Sequence, residues 1–345
     1  GVQPDIIIAR STHTLDKKRK EKLAIWCNVQ AERIISAPDV HSIYDVPLNF
    51  ERDKLSELLM SLLGKHAKQT PDFSEWKSFA DHAHNGNGKV KIGIVGKYFD
   101  TGDFVLSDAY LSVIEAIKFS AYAEGVKPEI VWINAKEIQD GTLPLASLGE
   151  YDGIIVPGGF GETGIEGKIM TARYAREQKI PYFGLCYGLH MLVIEYARAI
   201  LDHKDANTTE INPKTKYPVI DILPEQRKKL AMKDYGGSMR LGAYPCVLKE
   251  GTIVREAYGE ENISERHRHR YEINPEYVKQ LEEAGLVFSG KSPDGLLMEI
   301  AELPKNVHPF FLGTQFHPEL KARPLAPHPL FSAFIKAAIG RKTIQ

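Results

Sequence analysis

Three apolar runs in this chain stop at glycine-bearing turns and hand over to helical patterns: VKIGIVG (90 to 96), DGIIVPGGFG (152 to 161) and PYFGLCYG (181 to 188). An amphipathic stretch from about Ser107 to Glu124 follows the first, one through Ala172 to Gln178 follows the second, and Leu189 to Ile200 follows the third. A further run, EIVWIN (129 to 134), falls between the first two. Short apolar strands alternating with helices predict an α/β fold with a doubly wound, mostly parallel sheet. Ligands of such sheets bind beyond the carboxyl ends of the strands. Gly96, the PGGFG turn and Cys186 all fall at such ends, so the pattern predicts that they meet in one cleft.

PYFGLCYGLHM (181 to 191) reads as strand, sharp turn and helix, with Cys186 on the turn between Gly184 and Gly188. This is the cysteine form of a nucleophile elbow. A side chain on so tight a turn needs neighbours without a Cβ, because the backbone is crowded or at unusual dihedrals. The helix that follows aims its N-terminus at the sulfur and favours a thiolate. Taken alone, the stretch reads equally as a buried free cysteine. A nucleophilic cysteine needs a base, and FFLGTQFHPE (310 to 319) supplies one: His317 at the end of a core strand, with Glu319 two residues on to orient the ring. Attack on an amide creates an oxyanion, which needs backbone N–H donors. Gly159 in the PGGFG turn and Tyr187, directly after the cysteine, are placed to offer them.

The chain has 345 residues, 43% hydrophobic and 26% charged, with a net charge of −1. That balance argues against a nucleic-acid or anionic-membrane partner. No apolar run reaches bilayer-spanning length, and no signal peptide is visible. Cys27, Cys186 and Cys246 lie far apart without metal-ligand spacing, so no metal site is expected and a cytoplasmic protein with reduced thiols is the simplest reading. The chain starts at Gly1 with a core strand already at residues 4 to 9, which predicts a piece of a longer protein.

Residues 1 to 65 read as the tail of an α/β domain: a strand over 4 to 10, a helix from Leu15 to Cys27, a strand over 33 to 36 and a helix from Glu51 to Leu63. Residues 66 to 89 carry Pro, Gly, Asn and scattered aromatics and read as an interdomain linker, with a short helix over Phe73 to His82. His66, His82 and His84 read as linker surface. The second domain spans 90 to 340. After Asp205 it is expected to hold shorter strands over 218 to 223, 243 to 248, 285 to 290 and 295 to 302, two polar loops, YGGSMRLG (235 to 242) and ERHRHRYE (265 to 272), and a last helix from Pro329 to Ile339.

PGGFG, GLCYG and FHPE, in this order and spacing, resemble a class I, triad-type glutamine amidotransferase. GVQPDIIIARS, CNV, DVHSIYDVP, GKY, DANTTEI, GGSMRLGA, ERHRHRYEIN and QFHPE resemble the CTP synthase family along nearly the whole chain. The resemblance implies a flavodoxin-like glutaminase domain preceded by part of a P-loop-like synthetase (amidoligase) domain. It implies that Cys186 attacks the side-chain amide of glutamine, that a glutamyl thioester forms, and that His317 serves as base for its hydrolysis. Ammonia would pass to an ATP-dependent amination of UTP to CTP. By resemblance Gly159, Tyr187, Glu210 and Arg270 contact glutamine, Glu210 at its α-amino group and Arg270 at its carboxylate, charges suited to each. Without it, Arg270 reads as a surface ion pair. Lys22 would lie near the UTP or CTP triphosphate. Trp26 would lie near the pyrimidine, although it also reads as a core tryptophan. Asp39 and Val40 would lie near the adenine of ATP. The resemblance implies ATP and Mg²⁺ for the full-length enzyme, GTP as activator and a homotetramer, with no cofactor in this stretch alone.

Two positions depart from the family pattern. His190 stands where the family has a glutamine that helps to bind substrate, which predicts binding with altered pH dependence. Thr163 stands where the family has an arginine involved in activation by GTP, while Glu166 is retained as a candidate effector contact. A free-standing amide or γ-glutamyl hydrolase and a non-catalytic pseudo-glutaminase are the rival readings. The first 60 residues and RHRHRYE weigh against the former, and the complete Cys186, His317 and Glu319 set against the latter.

Overall fold

A computed structural model of the chain describes residues 3–66, 69, 71–97, 110–222 and 239–344. The chain divides into two compact units, Gly1–Gly86 and Asn87–Gln345.

The first unit begins with a parallel pair, β1 (Ile7–Ser11) and β2 (Ile34–Pro38), joined through helix α1 (Lys17–Cys27). Asp16 caps α1 by accepting from the Arg19 N–H at 2.8 Å. The single helix expected over 51 to 63 is two: α2 (Val46–Arg52) and α3 (Leu55–Leu62). Pro47 starts the first helix early, and Lys54 adopts φ 58°, which stops the helical ladder. Between them the Asp53 carboxylate accepts from the Ser36 N–H and from Lys20 Nζ, each at 2.7 Å, tying the break to β2. The stretch read as a linker holds helix α4 (Ser74–Asn85), packed within this unit. Trp76 Nε1 donates to the Tyr44 carbonyl at 2.7 Å, the Phe79 ring lies 4.9 Å from that of Tyr44, and His84 meets the Asp45 carboxylate at 2.9 Å. His84 is therefore a packed residue, because α4 turns that side chain onto α2's leading end.

The second unit runs β3 (Lys89–Gly96), α5 (Leu111–Ala123), β4 (Lys127–Asn134), α6 (Ala135–Gln139), β5 (Gly153–Val156), α7 (Ile165–Glu177), β6 (Tyr182–Leu185) and α8 (Tyr187–Ile200). It continues with β7 (Ala206–Thr208), β8 (Tyr217–Ile222), β9 (Arg240–Leu248), α9 (Ile253–Tyr258), β10 (Asn262–His269), β11 (Tyr271–Ile273) and α10 (Pro275–Glu283). It ends with β12 (Val287–Lys291), β13 (Met298–Glu302), β14 (Phe311–Thr314) and α11 (Pro329–Ile344). Among the described residues these strands form a nine-stranded sheet, ordered β10-β9-β12-β13-β14-β6-β5-β3-β4, and a small one, β11-β8-β7. From β14 to β4 every pair is parallel; from β10 to β14 the neighbours are antiparallel.

The central parallel strands β5, β6 and β14 are buried along their length because helices cover both faces: α5 and α11 on one, α7 and α8 on the other, whereas the edge strand β4 is only half-buried. The chain leaves β3 for β4 on one side and returns to β5 on the other, which opens a crevice at the carboxyl ends of β3 and β5. The helix start expected at Ser107, residue 223, and residues 235 to 238 lie outside the described residues. ERHRHRYE is not a loop. It forms β10 and the start of β11, with burial alternating strictly along β10. No helix among the described residues is long and apolar enough to cross a membrane.

Candidate active site

The carboxyl ends of β5, β6 and β14 are held level. Val156 pairs with Gly184, Leu185 pairs with Thr314, and the Cys186 N–H donates to the Thr314 carbonyl at 2.6 Å. Each strand then releases one functional segment at the same height: the 157 to 161 turn, Cys186, and Gln315 to Glu319.

Cys186 sits at φ 50°, ψ −96°, a strained conformation for a residue with a side chain. It caps α8, accepting from the Leu189 and His190 N–H groups at 3.0 and 3.3 Å. The flanking glycines answer to crowding, since neither has positive φ. A Cβ on Gly184 would lie 2.6 Å from the Gly188 backbone, and one on Gly188 would lie 2.0 Å from the Val156 carbonyl oxygen. Helix α8 thus rests directly on β5 and β6 and holds the sulfur at the mouth of the crevice.

His317 Nδ1 meets Glu319 Oε1 at 2.7 Å. Nδ1 is therefore the nitrogen held by the carboxylate, and Nε2 is left for chemistry. Burial disfavours the imidazolium, but the Glu319 carboxylate and the Cys186 sulfur outweigh it, and His317 is raised well above the ordinary histidine value. A methyl group on Gly158 would lie 2.9 Å from His317 Cε1 and 3.8 Å from Cys186 Cβ, so the glycine turn packs against both groups. The His317 N–H donates to the Arg266 carbonyl at 2.8 Å, which fastens the segment to β10.

A cavity of about 510 Å³ opens over these groups. Cys186, His317, Gly159, Tyr187, His190, Glu210 and Arg270 all line it, together with Gly158 and Phe160. All the residues expected at the glutaminase site are thus brought to one place. Glu210 accepts from the Gly161 N–H at 3.2 Å. Burial raises its pKa, while that N–H, Lys97 and Arg270 pull the other way. His190 is buried, and its Nε2 lies 3.0 Å from Gln315 Oε1. The amide oxygen can only accept, so Nε2 donates to it, and the Tyr271 carbonyl is a second acceptor beside the ring. Burial outweighs the Gln315 bond and lowers His190 to about 4. The ring is therefore neutral across the working range, and the altered pH dependence expected for it loses its physical basis.

Three residues of this region carried no role in the sequence reading. Gln315, wholly buried, bridges His190 and the nucleophile, its Nε2 lying 3.8 Å from Cys186 Sγ. Its place two residues before His317 was the available signal. Arg240, inside GGSMRLGA, reaches Glu272 at 3.2 Å and Glu299 at 3.0 Å, both buried. Lys168 is wholly buried in α7.

Glu166 is not among the residues lining the cavity. Its carboxylate takes two hydrogen bonds from Arg198, at 2.7 and 3.2 Å. Thr163 is exposed beside the glycine turn. In the first unit Lys22 lies 4.9 Å over the ring of Trp26, one turn on along α1, and Trp26 is 73% exposed, so it is not a core residue. Asp39, paired with Arg10 at 2.8 Å, and Val40 line a separate hollow of about 480 Å³ beside Thr12 and His13.

A family model for class-I glutamine amidotransferases matches residues 105–337, and one for the CTP synthase N-terminus matches residues 1–64. The CTP synthase of Pelotomaculum thermopropionicum is 49% identical over 338 residues, 98% of this chain and 61% of that protein. That of Methanococcus aeolicus is 44% identical over 348 residues, 99% of this chain and 63% of that protein. The chain thus spans about three fifths of the length of these curated relatives. Among solved structures, the glutaminase domain of Trypanosoma brucei CTPS with bound acivicin is 34% identical, with a TM-score of 0.66, over 73% of this chain and 94% of that one. The chain belongs to the class-I glutamine amidotransferases and, among them, to the CTP synthase family.

Proposed function

We propose that the 87 to 345 unit hydrolyses L-glutamine to glutamate and ammonia. One observation carries this: Cys186 on its strained turn lines one cavity together with His317, itself held by Glu319, and with Glu210 and Arg270. A carboxylate and a guanidinium complement the ammonium and carboxylate of an amino-acid substrate. An arriving ammonium also supplies the charge that the buried Glu210 needs. Cys186 Sγ attacks the side-chain amide carbon, and the N–H groups of Gly159 and Tyr187 receive the oxyanion. The His317 imidazolium protonates the leaving ammonia and then, as neutral base, activates the water that cleaves the thioester. His190 lines the same cavity and would lie against the substrate amide.

In the longer protein, ammonia would aminate UTP activated by ATP with Mg²⁺, and the assembly would be a cytoplasmic homotetramer. The domain reading of 1 to 65, linker and 90 to 340 belongs with that proposal. So do the contacts of Lys22, Trp26, Asp39 and Val40 with nucleotides. The test of the central reading is glutaminase activity of the 345-residue chain, set against Cys186→Ala. Activity lost by at least about a thousandfold supports it; equal rates sink it. GTP activation is expected to be weak, because Thr163 offers no guanidinium and Glu166 is engaged by Arg198. Strong stimulation in a GTP titration of the full-length enzyme would contradict that.

A further inference from the structure

Gln315 follows β14 and is wholly buried beside the nucleophile. Its backbone is fixed. The Gln315 N–H donates to the Glu299 carbonyl of β13 at 2.8 Å, and the Thr314 carbonyl just before it accepts from the Cys186 N–H at 2.6 Å. Its side-chain amide is held at both ends. Oε1 lies 3.0 Å from His190 Nε2, and Nε2 donates to Cys186 Sγ over 3.8 Å, a long bond to a large acceptor atom. The amide oxygen can only accept and the NH2 can only donate, so the His190 proton on Oε1 leaves the NH2 facing the sulfur. The reverse orientation would set an amide oxygen against Sγ, acceptor against acceptor once the thiol has ionised. A buried amide is costly unless its ends are bonded, and one of its two partners here is the reacting atom.

We infer that Gln315 is a further catalytic residue of this site: its NH2 donates to the Cys186 sulfur and stabilises the thiolate, and His190 is the positioning residue that aims the amide. A hydrogen bond to an ion is stronger than one to a neutral group, so the donor favours the thiolate over the thiol. The thiolate occurs twice in the reaction, as the attacking group and as the group expelled when water opens the thioester. His317 changes charge between these steps, since it gives up a proton and regains one. Gln315 does not titrate, so its donor is present in both. The charged groups that face Cys186 are His317, held by Glu319, and, around the shared cavity, Glu210, Arg268, His269 and Arg270. Tyr110, Tyr187 and His190 complete the titratable lining. Replacing Gln315 leaves every one of them in place.

The kinetic half of this inference rests on the glutaminase reading; the thiolate half is tested without substrate. The test is Gln315→Met in the 345-residue chain, which keeps the bulk and removes the donor. Iodoacetamide labelling is followed at Cys186 by peptide mass from pH 4 to 9. Cys186 and His317 titrate as a pair, so the readout is the displacement of the acid limb between parent and variant. The limb should move up by about 0.5 to 1 pH unit, with the Tm within about 3 °C. Turnover should fall about 10-fold in kcat with KM within about threefold. His190→Leu, which frees the amide, should move the limb the same way by less. Added to it, Gln315→Met should displace the limb less than it does in the parent, because both act through one donor. An acid limb unmoved in Gln315→Met would overturn the inference, and so would full additivity of the two substitutions. If Gln315→Met does not fold, the limb of His190→Leu decides by the same criterion. Failure of the glutaminase reading has a different signature: the limb moves as expected, but glutamine does not slow the labelling, and Cys186→Ala matches the parent in glutamine turnover.

Discussion

Glu319 and His190 act on the site in opposite electrostatic ways. Glu319 favours the charged form of His317, whereas burial keeps His190 neutral. If the working form pairs a Cys186 thiolate with a His317 imidazolium, loss of the imidazolium sets the alkaline limb of kcat/KM. Glu319→Gln removes the carboxylate charge that raises His317, so that limb should move to lower pH, with kcat down about 10- to 100-fold. A profile from pH 6 to 10 checks the sign; a limb that stays in place would show that the carboxylate only orients the ring. His190→Gln should leave the profile between pH 5 and 8 unaltered, since a group lowered to about 4 does not titrate there. A limb near 6.5 that disappears in the variant would contradict this assignment.

At the scale of elements, the site depends on how closely α8 lies on the sheet. Gly188→Ala drives a methyl group into the Val156 carbonyl, which a backbone cannot yield as a flexible side chain would. Helix α8 must lift, and a loss of about 3 kcal/mol or more is expected in urea unfolding. The antiparallel wing depends on one guanidinium. Arg240, at the start of β9, faces Glu272 from β11 and Glu299 from β13, and burial raises both carboxylates, Glu272 to about 8. Glu272, raised to about 8, already holds its proton at pH 7. Arg240→Leu therefore leaves the buried Glu299 as the carboxylate without its counter-ion, and a cost of about 3–5 kcal/mol is expected. A loss below about 1 kcal/mol would mean that Glu299 is already neutral in the parent.

For the molecule as a whole, buried histidines set the acid side of the stability profile. His190 and His308 are lowered to about 4, His267 to about 3, and His269 well below its ordinary value, each chiefly by burial. Below about 6.5 the unfolded chain takes up protons that these folded rings refuse. Their contribution is therefore complete above pH 6.5 and is lost progressively as pH falls towards 4 and 3. Glu272 has the opposite sign: the folded state keeps its proton up to about 8, so it loses stability as pH rises from 4.5. Glu195, Glu210, Glu299 and Glu302 are raised as well, and His317 is raised, so these groups share its sign and offset part of the loss. Because the four lowered histidines take up their protons in the unfolded chain near pH 6.5, a net fall in stability is expected between pH 7 and 5. Urea midpoints at the two values measure this; a higher midpoint at pH 5 would show the carboxylates dominating.

What could be read along the chain was what is local. Apolar strands alternating with helices announced the parallel sheet, and a cysteine between glycines announced the elbow, because strand burial and turn geometry act over a few residues. The site followed as far as topology alone carries it, since strand ends in such a sheet share one edge. Other features were illegible for a stated reason. ERHRHR read as a loop because its inward residues, Glu265, His267 and His269, are themselves polar, so its two-residue alternation carries no hydrophobic signal. The break at Asp53 depends on Ser36 and Lys20, and the neutrality of His190 on burial beside Gln315. Lys168 has the side chain of a solvent-facing helix residue, and only the packing of α7 behind the glycine turn removes it from water. Local sequence thus set the strands, the turns and the identity of the reacting groups. Burial and partnership, which set charge state and orientation, came from segments apart along the chain, 17 residues for Asp53 and Ser36 and 125 for His190 and Gln315, meeting in three dimensions.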